Sequence, residues 1–187
     1  MGRVSGWVVL LMLAISCASA QQADTGGVIA EISGGGIFGL GAHGNVSGSL
    51  AAPLSRHLLP YIEFAYSPLS SFAFTYGANE TGKALFRSAL TDINGGVKIR
   101  FPSRNSDWVP YFGLGAGLLH ITSNTHQSGF GATITTNTSN NAFAGNVSVG
   151  TLYYITPHVG LGIEAKGYGA QHQRLGRATV GVFYQFE

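Results

Sequence analysis

The chain ends, at residues 177–187, with the sequence RATVGVFYQFE. Large apolar residues alternate here with smaller or more polar ones, which is the period of two that a half-buried β-strand shows. The apolar side holds Val180, Val182, Tyr184 and Phe186. Because a terminal apolar strand has free N–H and C=O groups along its edge, it needs a partner. We expect it to pair with the first strand of the chain, which closes the sheet into a barrel.

Seven earlier runs alternate in the same way, at residues 28–34, 45–52, 58–66, 91–101, 109–121, 143–154 and 159–166. With the last run they predict eight strands. Tight turns alternate with longer polar connections, the longest at residues 67–88 and 122–141, as in barrels with short periplasmic turns and long outer loops. The predicted fold class is all-β, an eight-stranded antiparallel up-and-down transmembrane β-barrel.

The charged residues of these runs share one side of the sheet, while the facing positions are apolar. They are Glu31, Glu63, Asp92, Lys98, Arg100, Glu164 and Lys166. A soluble barrel would show the reverse, with apolar residues inside. We therefore place the apolar side in lipid and the charges in the lumen, which side chains fill in a barrel of eight strands. The sequence predicts a charge network that plugs the interior, with a gated polar path as the alternative.

Aromatic residues near the strand ends are typical of the girdles that flank the apolar band of a membrane barrel. These residues are Tyr66, Trp108, Tyr111, Tyr153, Tyr154 and Tyr184. The alternative for three tyrosines, Tyr111, Tyr154 and Tyr168, is that they fill the lumen.

The first residues carry the features of a secretion signal. Arg3 precedes an apolar run at residues 7–15, and Ala18-Ser19-Ala20 resembles a signal-peptidase site. We predict a cleaved signal peptide at residues 1–20 and one barrel domain at residues 21–187. Cys17, the only cysteine, would be lost with the signal; the alternative is a lipidated cysteine. Charged residues make up 10% of the chain, against about 25% in ordinary soluble domains.

Three stretches carry a resemblance to a known family. They read PYFGLGAG at residues 110–117, EISGG at residues 31–35, and Gly181, Tyr184 and Phe186 near the end. The chain resembles the OmpA/OmpX-like family of small outer-membrane β-barrels over nearly all of its mature region. The resemblance implies a location in the bacterial outer membrane, a C-terminal signal read by the outer-membrane assembly machinery, and roles in envelope integrity, adhesion, host interaction or, rarely, lipid modification. Glu187 departs from the family pattern, in which an aromatic residue ends the chain.

The sequence gives little sign of catalysis or cofactors. Its six histidines lack metal-ligand spacing, so we expect no metal and no cofactor. His120, His126 and Ser128 come nearest to a catalytic set, yet no carboxylate lies close in sequence to orient a base. We expect no enzyme. Nothing resembles a nucleic-acid-binding surface.

The function that the sequence favours is an outer-membrane barrel with a filled lumen, an anchor whose surface loops serve recognition or adhesion. Expected partners are outer-membrane lipid, lipopolysaccharide and the assembly machinery, and we expect a monomer. Four basic residues are candidates for contact with lipopolysaccharide phosphates: Lys83, Arg87, Arg174 and Arg177. The alternatives are a small pore, a lipid-modifying barrel enzyme and a secreted lipocalin-like barrel.

Overall fold

The computed structural model describes residues 27–76, 82–103, 106–129, 132–170 and 173–186. The predicted signal peptide lies outside these residues. In the part of the chain described, the strands are β1 (Ile29–Phe38), β2 (His43–Ala51), β3 (Leu58–Tyr76), β4 (Gly82–Arg100), β5 (Trp108–Gly129), β6 (Ala132–Tyr154), β7 (Val159–Ala170) and β8 (Gln173–Gln185). They form one closed antiparallel barrel in chain order, which confirms the predicted fold class.

The last strand closes the barrel against the first. The β1–β8 register runs from Ile29 opposite Gln185 to Phe38 opposite Gly176. Beyond the strand end, the Phe186 N–H donates a hydrogen bond to the Val28 carbonyl oxygen at 2.8 Å. The edge of β8 therefore has its partner, as the closing pattern predicts.

The two sides of β8 have the orientation that the sequence predicts. Val180 and Val182 are 57% and 56% exposed on the outer surface, whereas Phe183 is 1% exposed inside. The outward residues of the other strands are large and apolar as well, among them Ile32, Phe64, Ile93, Leu114, Phe143 and Ile163. The barrel thus presents an apolar band outside and keeps the charged residues of this band's strands, such as Glu63, Lys98 and Glu164, inside.

The aromatic residues divide between the two surfaces. Trp108 and Tyr184 are exposed on the outside, near the end of the barrel that carries the C-terminus. The Trp108 ring lies 4.7 Å from that of Tyr153 between centroids. Tyr111 and Tyr168 are buried in the interior, and Tyr154 packs inward against Phe183, so the girdle prediction is wrong for Tyr111 and Tyr154 and the lumen alternative is right.

The prediction of long loops at residues 67–88 and 122–141 is wrong, because most of these residues are strand. The β3–β4 pairing continues to Tyr76 opposite Gly82, and the β5–β6 pairing continues to Gly129 opposite Ala132. The period-two signal is lost at residues 122–141 because Thr, Ser and Asn occupy both faces there, although Leu69, Ala84 and Leu90 are buried on the inner face of β3 and β4. The hydrogen-bonded pairing persists without it, supported by the strand preference of threonine.

Four strands therefore continue past the rim of the barrel. The β2–β3 register ends at Val46 opposite Tyr66, and the β6–β7 register ends at Ala144 opposite Ala170. We call the continuation the projecting sheet: residues 67–76, 82–90, 120–129 and 132–143. At about 3.3 Å per residue, its strands extend roughly 30–40 Å. The register shifts between Pro68 and Ser70, so a β-bulge marks the place where β3 leaves the barrel wall.

The described residues contain no helix with the length and apolarity to span a membrane.

The orientation of β8 predicts unequal effects of charge on its two sides. Val182→Lys puts an ammonium group on the outward apolar face, where Lys at the mid-membrane costs about 2–4 kcal/mol. Gln185→Lys changes an inward position and loses one hydrogen bond from the Tyr154 hydroxyl, which contributes about 1 kcal/mol. We expect Val182→Lys to lower the folded yield in lipid vesicles far more, as measured by the mobility shift between unboiled and boiled samples. Equal yields would show that the two faces are assigned the wrong way round.

Candidate functional site

The interior of the barrel holds a set of charged side chains from β1, β3, β4, β7 and β8. We call it the charge layer: Glu31, Glu63, Asp92, Lys98, Glu164, Lys166 and Arg177. All occupy inward positions of the alternating strands, and all are buried except Glu31, whose side chain is 13% exposed. Ions in such a place are stable only when they are paired and hydrogen-bonded.

Glu63 on β3 joins cations from the opposite side of the barrel. Its Oε2 lies 3.0 Å from the Lys166 Nζ, and its Oε1 pairs with the Arg177 guanidinium. The Asn94 amide donates a further hydrogen bond to Oε1 at 3.1 Å. One carboxylate thus ties β3 to β4, β7 and β8.

Glu164 on β7 occupies the centre of the layer. Its Oε2 lies 3.1 Å from the Lys98 Nζ, and its Oε1 lies 3.1 Å from the Lys166 Nζ. The Tyr111 hydroxyl donates to Oε2 at 2.9 Å. Glu31 is held more loosely, since its nearest cation is Lys98 at 3.9 Å.

Inward tyrosines complete the layer by contacting both charges and apolar neighbours. The Tyr168 hydroxyl donates to Asp92 Oδ2 at 2.7 Å. The Lys98 Nζ lies 4.6 Å from the ring centroid of Tyr111, and the Lys166 Nζ lies 5.0 Å from that of Tyr61. These are favourable cation–π distances, so the rings stabilise the same cations that the carboxylates pair.

Two apolar clusters enclose the charge layer along the barrel axis. Toward the C-terminal end lie Ile29, Ala51, Leu59, Tyr61, Val109, Tyr111, Leu152 and Phe183. Toward the projecting sheet lie Ile37, Leu69, Leu90, Leu119, Ala144, Tyr168 and Leu175. The interior is therefore a stack of an apolar, a charged and another apolar layer.

Glycines in the barrel wall leave space for the side chains of the charge layer. A Cβ added to Gly150 would lie 2.5 Å from the Tyr111 hydroxyl oxygen, and one added to Gly162 would lie 2.5 Å from Glu31 Oε1. Either methyl group would displace a member of the stack. The inward glycines are thus part of the packing of the charge layer.

Six of the seven predicted lumen residues meet in the charge layer, and Arg100 does not. The Arg100 guanidinium donates to the Ser55 carbonyl oxygen at 3.0 Å, beside the β2–β3 turn. Arg177 takes part instead, although the sequence made it a candidate for contact with lipopolysaccharide phosphates. That assignment is wrong: Arg177 is 3% exposed, because β8 begins earlier than the closing pattern indicates. Arg87 and Arg174 are exposed on the outer surface as expected.

The proposed assembly signal consists of one inward and two outward residues. A Cβ added to Gly181 would lie 2.6 Å from the Ile32 carbonyl oxygen, so this glycine permits close packing of β8 against β1. The Tyr184 and Phe186 rings pack edge to face with centroids 4.7 Å apart. The role of these residues in assembly remains a prediction, and Glu187 lies outside the described residues.

The histidines within the described ranges do not form a metal site, and no group of three potential metal ligands occurs there. His43 and His57 bond backbone carbonyl oxygens of Leu40 and Arg100 at 2.9 and 3.0 Å. The proposed pair of His126 and Ser128 is not joined by a hydrogen bond, since the His126 Nδ1 contacts Thr135 Oγ1 instead. His172 lies outside the residues that the structure covers.

No protein-family model and no curated protein matches the sequence. Solved structures of similar shape do exist. Ail, the attachment invasion locus protein of Yersinia pestis, has a TM-score of 0.55 at 14% identity, over 88% of this chain and 100% of Ail. Neisserial surface protein A has a TM-score of 0.53 at 17% identity, over 85% of this chain and 96% of its own.

The N-terminal β-barrel domain of Pseudomonas aeruginosa OprF has a TM-score of 0.53 at 18% identity, over 87% of this chain and 98% of that domain. Identities this low show a common fold and nothing finer. The outward apolar band, the filled lumen and these neighbours agree on one architecture. The chain has the fold of the small eight-stranded β-barrels of outer membranes.

Proposed function

We propose that this protein is an integral barrel of a bacterial outer membrane that anchors a recognition surface at the cell exterior. An N-terminal signal peptide at residues 1–20 would export it. The observation that carries the proposal is the projecting sheet, in which β3–β6 continue past the rim while their neighbours stop. Closure of the barrel does not require paired strands that extend this far beyond the rim.

The filled interior supports the role of anchor. Cations and carboxylates of the charge layer are paired at 3.0–3.1 Å around Glu63, Glu164 and Lys166, and apolar clusters lie above and below them. Moving an ion along the axis would require both clusters to part and several pairs to break. This arrangement favours a rigid plug over a pore.

The projecting sheet supports the role in recognition. Among the described residues, no neighbouring strand pairs with the outer edges of this sheet, at residues 67–76 of β3 and 132–143 of β6. Exposed strand edges pair readily with an extended segment of another protein. Residues 133–141 of β6 are all exposed. One neighbour of like fold, Ail, is an attachment protein by name, which makes attachment the form of recognition to test first.

Two further partners are lipopolysaccharide and the outer-membrane assembly machinery. Arg87 and Arg174 are exposed on the outward face near the projecting sheet, where they can meet phosphates of lipopolysaccharide. The closing residues of β8 would be read by the outer-membrane assembly machinery. We propose a monomer, because the barrel covers every strand edge below the rim with its own chain.

The charge layer predicts a large effect on stability. Glu63→Ala leaves the Lys166 ammonium and the Arg177 guanidinium without their shared partner, and breaking a buried pair costs about 3–5 kcal/mol. The control is Arg100→Ala, which removes contacts with Ser55 and Tyr154 outside the layer and is expected to cost less, about 1.5–3 kcal/mol. Urea unfolding in lipid vesicles measures both. Similar losses for the two variants would contradict the assigned role of the charge layer.

The plugged lumen predicts that the folded protein adds no steady ion current to a planar bilayer. The matched test is Glu164→Ala, which removes the carboxylate between Lys98 and Lys166 but leaves both apolar clusters in place. We expect it also to be silent, since the apolar clusters still fill the interior. Regular single-channel steps from the wild type would favour the pore.

The projecting sheet predicts that attachment is separable from folding. In the test variant, residues 70–88 and 123–138 are each replaced by an Asn-Gly turn, which preserves the barrel below the rim. Cells displaying the wild type should adhere to surfaces coated with extracellular-matrix proteins, and cells displaying the folded variant should adhere no better than cells without the protein. Equal adhesion by both proteins would end the proposal that the sheet carries recognition.

A further inference from the structure

The outward face of β5 and β6 carries three polar side chains in mutual contact just beyond the barrel rim. His120 and Thr122 are two residues apart on β5 and therefore on the same face. Asn141 lies directly opposite His120 on β6. The His120 Nδ1 is 2.6 Å from Asn141 Oδ1, and the His120 Nε2 is 3.0 Å from Thr122 Oγ1.

These contacts fix the role of each ring nitrogen. The Asn141 Oδ1 only accepts hydrogen bonds, so the His120 Nδ1 carries the proton and donates. The His120 Nε2 then has a free lone pair and accepts the hydroxyl proton of Thr122. The result is a hydroxyl, an imidazole and an orienting acceptor in sequence, which is the arrangement that activates a nucleophile in acyl-transfer enzymes.

We propose that Thr122, His120 and Asn141 form a hydrolytic site for carboxylic esters of membrane lipids. Thr122 is the nucleophile and His120 the general base. Asn141 is a positioning residue that acts through His120. An asparagine from a neighbouring strand takes the place of the carboxylate that the sequence lacks near these residues.

The position of the site selects the substrate class. One step toward the barrel on the same face, Leu118 on β5 and Phe143 on β6 face each other and are strongly exposed. They belong to the apolar band that meets hydrocarbon. His120 and Asn141 are the first polar residues beyond it, which is the level of the interfacial region between hydrocarbon and water. Acyl ester bonds of glycerolipids lie at this depth.

Stabilisation of the developing oxyanion has to come from side chains, because the backbone of β5 is paired on both sides here. Ser139 lies opposite Thr122 on β6, and Asn124 is the next outward residue on β5. Arg87 on β4 lies opposite Asn124 and is exposed. Diagonal neighbours in a sheet are about 7–8 Å apart, within reach of long side chains. The amide and guanidinium groups supply the N–H donors that such an intermediate needs.

The reaction proceeds in two balanced halves. The Thr122 Oγ1 attacks the ester carbonyl carbon as its proton passes to the His120 Nε2, and the tetrahedral intermediate expels the alcohol, which takes that proton. The product is an acyl ester of Thr122. Water then attacks the acyl carbon, its proton passes through His120 to Oγ1, and the fatty acid leaves. The sum is ester plus water giving acid plus alcohol, with Thr122 restored.

The same strand contains a matched control. His126 faces outward like His120, but its Nδ1 contacts the Thr135 hydroxyl at 3.0 Å, and no hydrogen bond of the described residues joins it to Ser128. It has the residue types of a catalytic pair without the geometry. Substitution of His126 therefore changes a nearby histidine and leaves the proposed site intact.

The test uses the full barrel refolded in mixed micelles, with 4-nitrophenyl octanoate as the ester probe and release of 4-nitrophenolate as the readout. The wild type should turn over the probe and Thr122→Ser should remain active, whereas Thr122→Val should be inactive. His120→Ala should lose about 10²–10⁴-fold in rate, and His126→Ala should match the wild type. The unboiled gel shift confirms folding of each variant.

The positioning role of Asn141 has its own readout. Asn141→Ala should lower kcat by about 10²-fold with KM unchanged, and Asn141→Asp should restore it, because a carboxylate orients the same tautomer. A fluorophosphonate probe should label Thr122 covalently in the wild type and fail to do so in His120→Ala. Wild-type release no faster than that of folded Thr122→Val, or full activity in His120→Ala, would overturn the proposal.

Discussion

The hydrogen bonds between β1 and β8 are the constraint on which the rest of this structure depends. Inside a bilayer an unpaired backbone group costs several kcal/mol, so only a sheet without edges is stable there. Closure from Ile29 opposite Gln185 to Phe38 opposite Gly176 removes the last edge. It also fixes which residues of every strand face in, since a slip of one residue would exchange the two faces. The apolar outer band and the charged interior follow from that single register.

Once the faces are fixed, the narrow interior determines how charge can be held. Eight strands leave room for side chains and little else, so carboxylates and cations must satisfy one another. Glu63 and Glu164 do so by sharing Lys166 at 3.0 and 3.1 Å. Tyr111 and Tyr168 suit this interior because each donates its hydroxyl to a carboxylate while its ring packs in an apolar cluster. Most large apolar residues of the strands face outward. The charge layer therefore fills the middle of the interior, where a soluble protein would have an apolar core.

Much of this architecture is predictable from the sequence, because alternation with a period of two is a local property. It gives the strand count, the two sides of β8 and the inward position of most of the charge layer. Arg177 was missed because the residues before it contain glycine and polar side chains, which are typical of a connection. The projecting sheet was missed for a related reason, since polar residues on both faces of β5 and β6 at residues 122–141 leave no alternation to detect. Pairing partners, such as Arg177 with Glu63, depend on the stagger around the barrel, which no local pattern encodes.

The proposed site on the outer face of β5 and β6 also depends on strand pairing that no local sequence pattern encodes. His120 with Thr122 and His126 with Ser128 are equivalent as sequence patterns, since each places a histidine two residues before a hydroxyl. The β5–β6 register separates them by setting Asn141 opposite His120 and Thr135 opposite His126. An amide oxygen only accepts a hydrogen bond and so selects one tautomer, whereas a hydroxyl can donate or accept and selects neither. The difference between a base aimed at its nucleophile and an ordinary surface histidine thus rests on a residue 21 positions away in the chain, placed by the pairing of two strands beyond the rim.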